Sequence, residues 1–131
     1  GASPDVDLAR SLLSTKSAAE IKEIELEIAR KHPGKSLEAW AQNLPESSSR
    51  SKLLAELSRK EENPAKYDAL RLKAALEERS EWFWQASRDN TQIEKFIRDL
   101  YRSRSPEQLA KINEEFAKLS DGHTNANERI K

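Results

Sequence analysis

Residues 91–119 read TQIEKFIRDLYRSRSPEQLAKINEEFAKL, and this stretch decides the fold class. In its first half, apolar side chains recur at the spacing of one helix face: Ile93, Phe96, Ile97, Leu100 and Tyr101. In its second half, Ser105 and Gln108 form a capping box around Pro106, and proline suits the first position of a helix. The stretch therefore predicts two amphipathic helices joined by a tight turn.

The rest of the chain shows the same kind of pattern. A capping box of Ser17 and Glu20 opens another helix, which Pro33-Gly34 ends, and Asp121-Gly122 ends the last helix. Shorter helices are predicted over 5–13 and 36–43, around Leu53, Leu54 and Leu57, and from Pro64 onward, with a polar loop over 46–49. Because three Gly and five Pro leave few tight turns, we predict an all-α fold of eight or nine short helices.

Composition bounds the function classes. The 131 residues suit one domain, and 23 basic residues balance 23 acidic ones, which argues against a nucleic-acid binder. There is no cysteine, and no apolar run approaches the roughly 20 residues of a transmembrane helix. We expect a cytoplasmic protein, and if it binds membranes we expect it to do so as a peripheral protein. Because there is no Met, we interpret the initial Gly1-Ala2-Ser3 as left by cloning and expect a domain excised from a longer protein.

Two segments of the chain resemble each other. Residues 11–34 align without gaps to residues 99–122, and both contain a helix end, a turn, a capped helix and a glycine. The identical positions are Leu12 and Leu100, Ser17 and Ser105, Ile24 and Ile112, Glu27 and Glu115, Ala29 and Ala117, and Gly34 and Gly122. We interpret the two segments as copies of one helical unit.

This unit resembles the annexin repeat where its second and third helices join. The stretch LYRSRSPEQL, residues 100–109, followed by Ile112 and Phe116, carries the resemblance. It implies an annexin-like bundle of short helices in right-handed succession, formed by parts of two tandem repeats. Residues 8–62 then correspond to the end of one repeat, 63–122 to the start of a second and 123–131 to a polar tail, all within a single helical domain over 1–131.

The annexin calcium loop is missing at the place where the resemblance puts it. That loop needs closely spaced glycines, which let backbone carbonyls turn toward the ion, whereas this chain has only Gly1, Gly34 and Gly122. Residues 77–90 occupy the position instead. We therefore expect no cofactor and no metal site, and we expect the family's usual calcium-dependent phospholipid binding to be absent.

Two clusters are the candidate sites for a ligand or partner. Trp82, Phe83 and Trp84 stand in a row that one helix cannot bury on a single face, so they predict an anchor for a membrane or a partner, or packing in place of the calcium loop. Three cations share one face of the 91–103 helix and predict a site for a phosphate or an acidic partner, or a solvated surface: Lys95, Arg98 and Arg102. Arg104 is expected to be structural.

No catalytic constellation is visible in the sequence. His32 and His123 each stand close to a glycine at a predicted helix end, and the carboxylates of Glu20, Glu23 and Glu27 lie at helix-surface spacing. We predict a non-enzymatic binding module, or scaffold, that engages a protein partner or an anionic membrane surface. Two alternatives stay open: residual calcium and phospholipid binding at acidic loops near Glu46 or Asp121, and a helical accessory domain of an enzyme or pathogen effector.

Overall fold

Helices are the only regular secondary structure in the described part of the chain, which confirms the predicted all-α class. The computed structural model describes the backbone of residues 4–82 and 91–130 and the side chains of residues 5–80 and 91–119. These ranges contain seven α-helices: α1 Pro4–Ser14, α2 Ala18–Lys31, α3 Leu37–Gln42, α4 Ser48–Ser58, α5 Pro64–Trp82, α6 Thr91–Ser103 and α7 Pro106–Ile130. A 3₁₀ turn, Arg59–Glu61, follows α4 directly.

Hydrogen bonds at the helix starts confirm the predicted capping boxes at Ser17 and Ser105. The Ser17 hydroxyl accepts from the Glu20 amide at 3.1 Å, and the Glu20 carboxylate accepts from the Ser17 amide at 2.8 Å. Ser105 and Gln108 form the same two bonds, at 3.1 and 2.9 Å. Each box satisfies amides that would otherwise lack a partner in the first turn of a helix, so each fixes where its helix begins.

Two predicted boundaries are wrong. Ser48 and Ser49 belong to α4 rather than to a polar loop, because Ser47 already caps the helix by accepting from the Arg50 amide at 3.1 Å. The last helix does not end at Gly122 but continues to Ile130, giving α7 25 residues. A single glycine costs a helix only about 1 kcal/mol, and no proline follows it to force an end. Within residues 4–82 and 91–130, α4 and α7 are consequently longer than predicted.

The helices bury apolar side chains on two sides of a central pair, α4 and α5. On one side, α1 and α3 pack against α4, and the enclosed side chains include Val6, Leu13, Ile21, Leu53 and Leu57. On the other side, α6 and α7 pack against α5, and the buried side chains there include Leu70, Leu72, Ile93, Leu100 and Ile112. Because α5 is covered along much of its length, its apolar residues do not follow one helical stripe.

A buried carboxylate holds the short helix α3 in place. Glu25 of α2 accepts from the amides of Leu37 and Glu38 at 2.7 and 3.2 Å, and so caps α3 from outside. Lys60 contacts Glu25 at 3.1 Å and Glu38 at 2.8 Å. Burial alone would lower the pKa of Lys60, but the hydrogen bonds to Glu38 and Glu25 raise it above its ordinary value. The lysine therefore stays charged and links the 3₁₀ turn to α2 and α3.

Candidate functional site

The structure places the predicted aromatic anchor only in part. Trp82 is the last residue of α5. Its side chain, and all of Phe83 and Trp84, lie outside the described residues. The prediction that these residues contact a membrane or a partner therefore stays a prediction.

The predicted basic face is present on α6. Lys95, Arg98 and Arg102 all lie on the exposed side of the helix, opposite the buried Ile93 and Leu100. Lys95 is paired with Asp99 at 2.7 Å, and its hydrogen bond lowers the pKa of that carboxyl. Neither arginine forms an ion pair within the described part of the chain. Two of the three predicted cations thus remain available to a ligand.

Arg104, in the turn between α6 and α7, has the structural role expected of it. Its guanidinium donates to both carboxylate oxygens of Asp68, a buried residue of α5, at 2.8 and 3.2 Å. This hydrogen bonding raises the pKa of Arg104 above its ordinary value. A paired fork of this kind fixes geometry as well as charge, so it positions the turn on α5.

A cleft that the sequence patterns did not indicate lies where α1, α4, α5 and α6 meet. It encloses about 290 Å³, near the lower end of the size range of small-molecule and side-chain pockets. Small or apolar side chains form much of its lining: Ala55, Ala74, Ala75 and Ile93. Longer side chains complete it: Arg10, Lys52, Glu56, Tyr67, Arg71, Glu78, Gln92 and Phe96. The cleft combines an apolar surface with several charged groups.

Arg71 is held rigidly beside this cleft. Its guanidinium lies 5.1 Å from the centre of the Tyr67 ring and 4.8 Å from that of the Phe96 ring. One of its terminal nitrogens also donates to Asp68 at 3.3 Å. Both ring distances are within the range of cation–π attraction, so the two aromatic rings and the carboxylate fix the position of this charge.

Arg10 differs from Arg71 in having an unsatisfied donor. Its Nε atom is buried and has no hydrogen-bond partner among the residues that the structure describes. A buried donor without a partner costs roughly 1–3 kcal/mol, and such groups are rare in folded proteins. Arg10 therefore brings to the lining of the cleft a donor that the described residues leave unsatisfied.

The acidic residues of the cleft already have partners. Glu78 pairs with Lys52 at 3.1 Å, linking α5 to α4. Glu56 pairs with Arg59 at 3.0 Å. Neither carboxylate is thus a free counterion for Arg10, although both lie in the same lining.

A second polar cluster joins α4 to α5 and is structural. The Lys73 ammonium contacts Glu46 at 2.6 Å, Glu77 at 3.0 Å and the Ser51 hydroxyl at 3.4 Å, and that hydroxyl donates to Glu77. The hydrogen bond from Lys73 lowers the pKa of Glu46. Ser51 is fully buried, so a substrate has no route to this serine.

The structure describes only one of the two acidic side chains that were considered for calcium binding. Glu46 is engaged by both Lys73 and Arg50, at 2.6 and 3.1 Å, whereas the side chain of Asp121 lies outside the described residues. Among the side chains that are described, no group of three or more His, Cys, Asp or Glu could hold a metal ion. In the same part of the molecule, no helix has the length and apolar character to cross a membrane.

Helical spacing relates some of the cleft residues to each other. Tyr67 and Arg71 are four residues apart, which places an aromatic ring and a cation on the same face of a helix. The remaining contributions come from α1, α4 and α6, and no local spacing relates Arg10 to these residues. The cleft is consequently a product of tertiary packing.

Comparison with known proteins identifies no relative. No protein-family model matches the chain, and neither do any curated proteins or solved structures. The resemblance to annexins therefore stays a prediction that rests on the residues quoted for it.

Proposed function

We propose that this chain is a non-enzymatic binding module, and that it binds an amphipathic, acidic segment of a partner protein in the cleft between α1, α4, α5 and α6. The observation that carries the proposal is the cleft itself, with its alanine surface, two aromatic side chains and an arginine donor that lacks a partner. Such surfaces accept the apolar side chains of a helical or extended segment, while arginine and tyrosine supply much of the binding energy.

The charges of the cleft favour an acidic partner over a basic one. Lys52 and Glu78 neutralise each other, as do Glu56 and Arg59. Arg71 and Arg104 share the single carboxylate of Asp68, and Arg10 has no ion-pair partner among the described residues, so the excess charge is positive. Charge complementarity of this kind mainly increases the association rate and excludes wrong partners. A basic segment is therefore expected to bind weakly.

A binding role is also the simpler interpretation of the polar clusters. Ser51 is enclosed, and Lys73 is held by two carboxylates, so this serine and lysine do not form an accessible nucleophile and base. The long ion-paired side chains instead fix the helices against each other. This supports a rigid surface for recognition, although it concerns only the described residues.

The test is selection of binding peptides from a random peptide library displayed on phage. The protein is used in four forms, of which three carry the same change in net charge: wild type, Arg10→Glu in the cleft, Arg98→Glu on the outer face of α6, and Lys22→Glu on the exposed face of α2 as the matched control. Far-UV circular dichroism and a thermal melt establish that each variant is folded. Selected peptides are then synthesised, and their affinities are measured by fluorescence anisotropy.

We expect wild type and Lys22→Glu to select the same acidic peptides with apolar residues at helical spacing, and Arg10→Glu to lose them. Selection of peptides that no cleft substitution affects would overturn the proposal, as would a failure to select any sequence. Loss only in Arg98→Glu would move the site to the outer face of α6. Sedimentation with phosphatidylserine vesicles, with calcium and with chelator, tests the membrane alternative, and vesicle binding without peptide binding would replace our proposal with it.

A further inference from the structure

We infer that the cleft recognises a carboxylate carried by an apolar group, and that Arg10 is the residue that binds this anion. If the carboxylate belongs to a partner protein, the inference rests on the proposed function. It also names a specificity-determining residue and a ligand chemistry, both of which can be tested without knowing the partner.

The first step is the distribution of charge around the cleft. Asp68 is a single carboxylate shared by two guanidinium groups, because Arg104 donates to both of its oxygens and Arg71 to one of them. This group of three side chains therefore carries a net positive charge. Arg10 adds a second one, since no described carboxylate lies within ion-pair distance of it. Within the described part of the chain, the cleft has an excess of positive charge.

The second step is the state of the Arg10 side chain. Its Nε atom is buried without a hydrogen-bond partner among the described residues, and Arg10 is itself one of the residues that line the cleft. Because this nitrogen has almost no accessible surface, the side chain must turn toward the cleft before an acceptor there can reach the donor, and a charged oxygen then gives a stronger hydrogen bond than a neutral one. The planar guanidinium presents Nε and a terminal nitrogen side by side, which matches the two oxygens of a carboxylate. This geometry favours a carboxylate over a halide or a simple hydroxyl.

The third step is the apolar part of the ligand. Ala55, Ala74 and Ala75 line the cleft, and their small size leaves room that a larger side chain would fill. The Phe96 ring lies on the α6 side and is already oriented by its contact with Arg71. An aromatic or branched aliphatic group joined to the carboxylate therefore has a preformed surface to cover.

The experiment titrates the folded chain with 2-naphthoate and, in parallel, with the uncharged methyl ester of 2-naphthoate. Binding is followed by NMR of the alanine methyl groups, because three of them line the cleft and others, such as Ala110 on the exposed side of α7, do not. We expect naphthoate to shift the signals of Ala55, Ala74 and Ala75 and the ester to bind at least about tenfold more weakly, as expected for loss of one hydrogen bond to a charged group.

Two substitutions at Arg10 separate its charge from its shape. Arg10→Gln removes the charge and is expected to weaken naphthoate binding about tenfold or more. Arg10→Lys keeps the charge but loses the paired nitrogens, so an intermediate loss is expected. Lys22→Gln is the matched control on α2 and should bind as wild type does. Equal binding of acid and ester, an unchanged affinity in Arg10→Gln, or shifts confined to methyl groups outside the cleft would each overturn the inference.

A further experiment distinguishes a carboxylate that belongs to a partner protein from one that belongs to a free organic acid. A selected peptide is compared with the same peptide in which every Asp and Glu is replaced by Asn and Gln and the C-terminus is amidated. If naphthoate binds but no peptide is selected, the ligand is a free organic acid, and the anion site stands while the proposed module function fails. If peptides bind in the cleft equally well without their carboxylates, the module function stands and the role inferred for Arg10 fails.

Discussion

The turn between α1 and α2 and the turn between α6 and α7 share their capping chemistry but are secured by different arginines. In the first, Arg59 reaches in from the 3₁₀ turn and donates to the carbonyls of Leu13 and Lys16 at 3.2 and 2.7 Å. In the second, Arg104 belongs to the turn itself and reaches out to Asp68. The sequence aligns Lys16 with Arg104, so equivalent positions act as acceptor in one turn and as donor in the other.

The helices that precede the two turns also bury different positions. Leu12 and Leu100 are identical in the alignment, yet Leu12 is 57% exposed and Leu100 is 5% exposed. The environments of the next residues are the reverse, because Leu13 is buried and Tyr101 is 45% exposed. A shared capping motif therefore indicates where a helix begins, but it does not indicate which face of the preceding helix is buried.

The largest effect is expected where the second turn is anchored. Asp68→Ala leaves two guanidinium groups without their carboxylate, and we expect a loss of about 2–3 kcal/mol in the free energy of unfolding, below the range for a fully buried pair because Arg104 can reach water. Urea denaturation measures it. Asp99→Ala, on the exposed face of α6, is the control and should change stability by less than about 0.5 kcal/mol. Equal effects of the two substitutions would contradict this role.

The corresponding change in the first turn is Arg59→Ala. It removes the charged donors to two backbone carbonyls together with the ion pair to Glu56, and a loss of about 2 kcal/mol in the free energy of unfolding is expected. Arg30→Ala removes only a surface ion pair with Glu27 and should cost at most about 0.5 kcal/mol. If Arg59→Ala were no more destabilising than Arg30→Ala in the same urea titration, the carbonyl contacts would not secure this turn.

The two aligned glycines are expected to respond in opposite directions to alanine. Gly34 has φ of 83°, in the left-handed region, and an added Cβ would meet no atom within 4 Å. Gly34→Ala should therefore destabilise by about 1 kcal/mol through the backbone alone. Gly122 lies inside α7, so Gly122→Ala should increase helix content and stabilise by up to about 1 kcal/mol. Thermal melts followed by circular dichroism test both, and changes of the same sign would contradict the two conformations.

The smallest effect concerns the residue three positions after the serine in each capping box. The backbone hydrogen bond at Ser17 lowers the pKa of Glu20 below its ordinary value of 4.5, so the stabilisation by this box is present above that value and is lost as the pH falls through the lowered pKa. Gln108 cannot titrate. Glu20→Gln should reduce the acid dependence of stability, and Gln108→Glu should increase it, in urea titrations repeated from neutral to acidic pH. Identical pH profiles for all three proteins would refute this difference.

The parts of the fold that the sequence predicted are those set by contacts over three or four residues. The boxes at Ser17 and Ser105 are such contacts, and they are present as expected. The predicted end of α7 at Gly122 is wrong because a glycine permits a helix to end without requiring it to, and the helix continues to Ile130. The start of α4 was mispredicted because the serines that follow the cap are buried rather than solvated.

The candidate site was less predictable than the helices. Helical spacing alone predicts that the cations of α6 share one face, and Arg98 and Arg102 do lie on its exposed outer face. The cleft depends on how α1 and α6 lie against α4 and α5. Arg10 and Arg71 both line it, but they are far apart in the sequence, so no local pattern relates them. Helical periodicity shows which residues are apolar on one element, but it contains no information about which two elements meet.

The cap that Glu25 places on α3 has a consequence for the order in which the molecule assembles. A six-residue helix is too short to persist alone, and the amides of its first two residues donate to Glu25, which lies 12 and 13 positions earlier in the chain. Helix α3 is therefore expected to form only after α2 has presented its carboxylate. In a refolding experiment, the time at which the Leu37 amide becomes protected from hydrogen exchange would report when α2 and α3 dock.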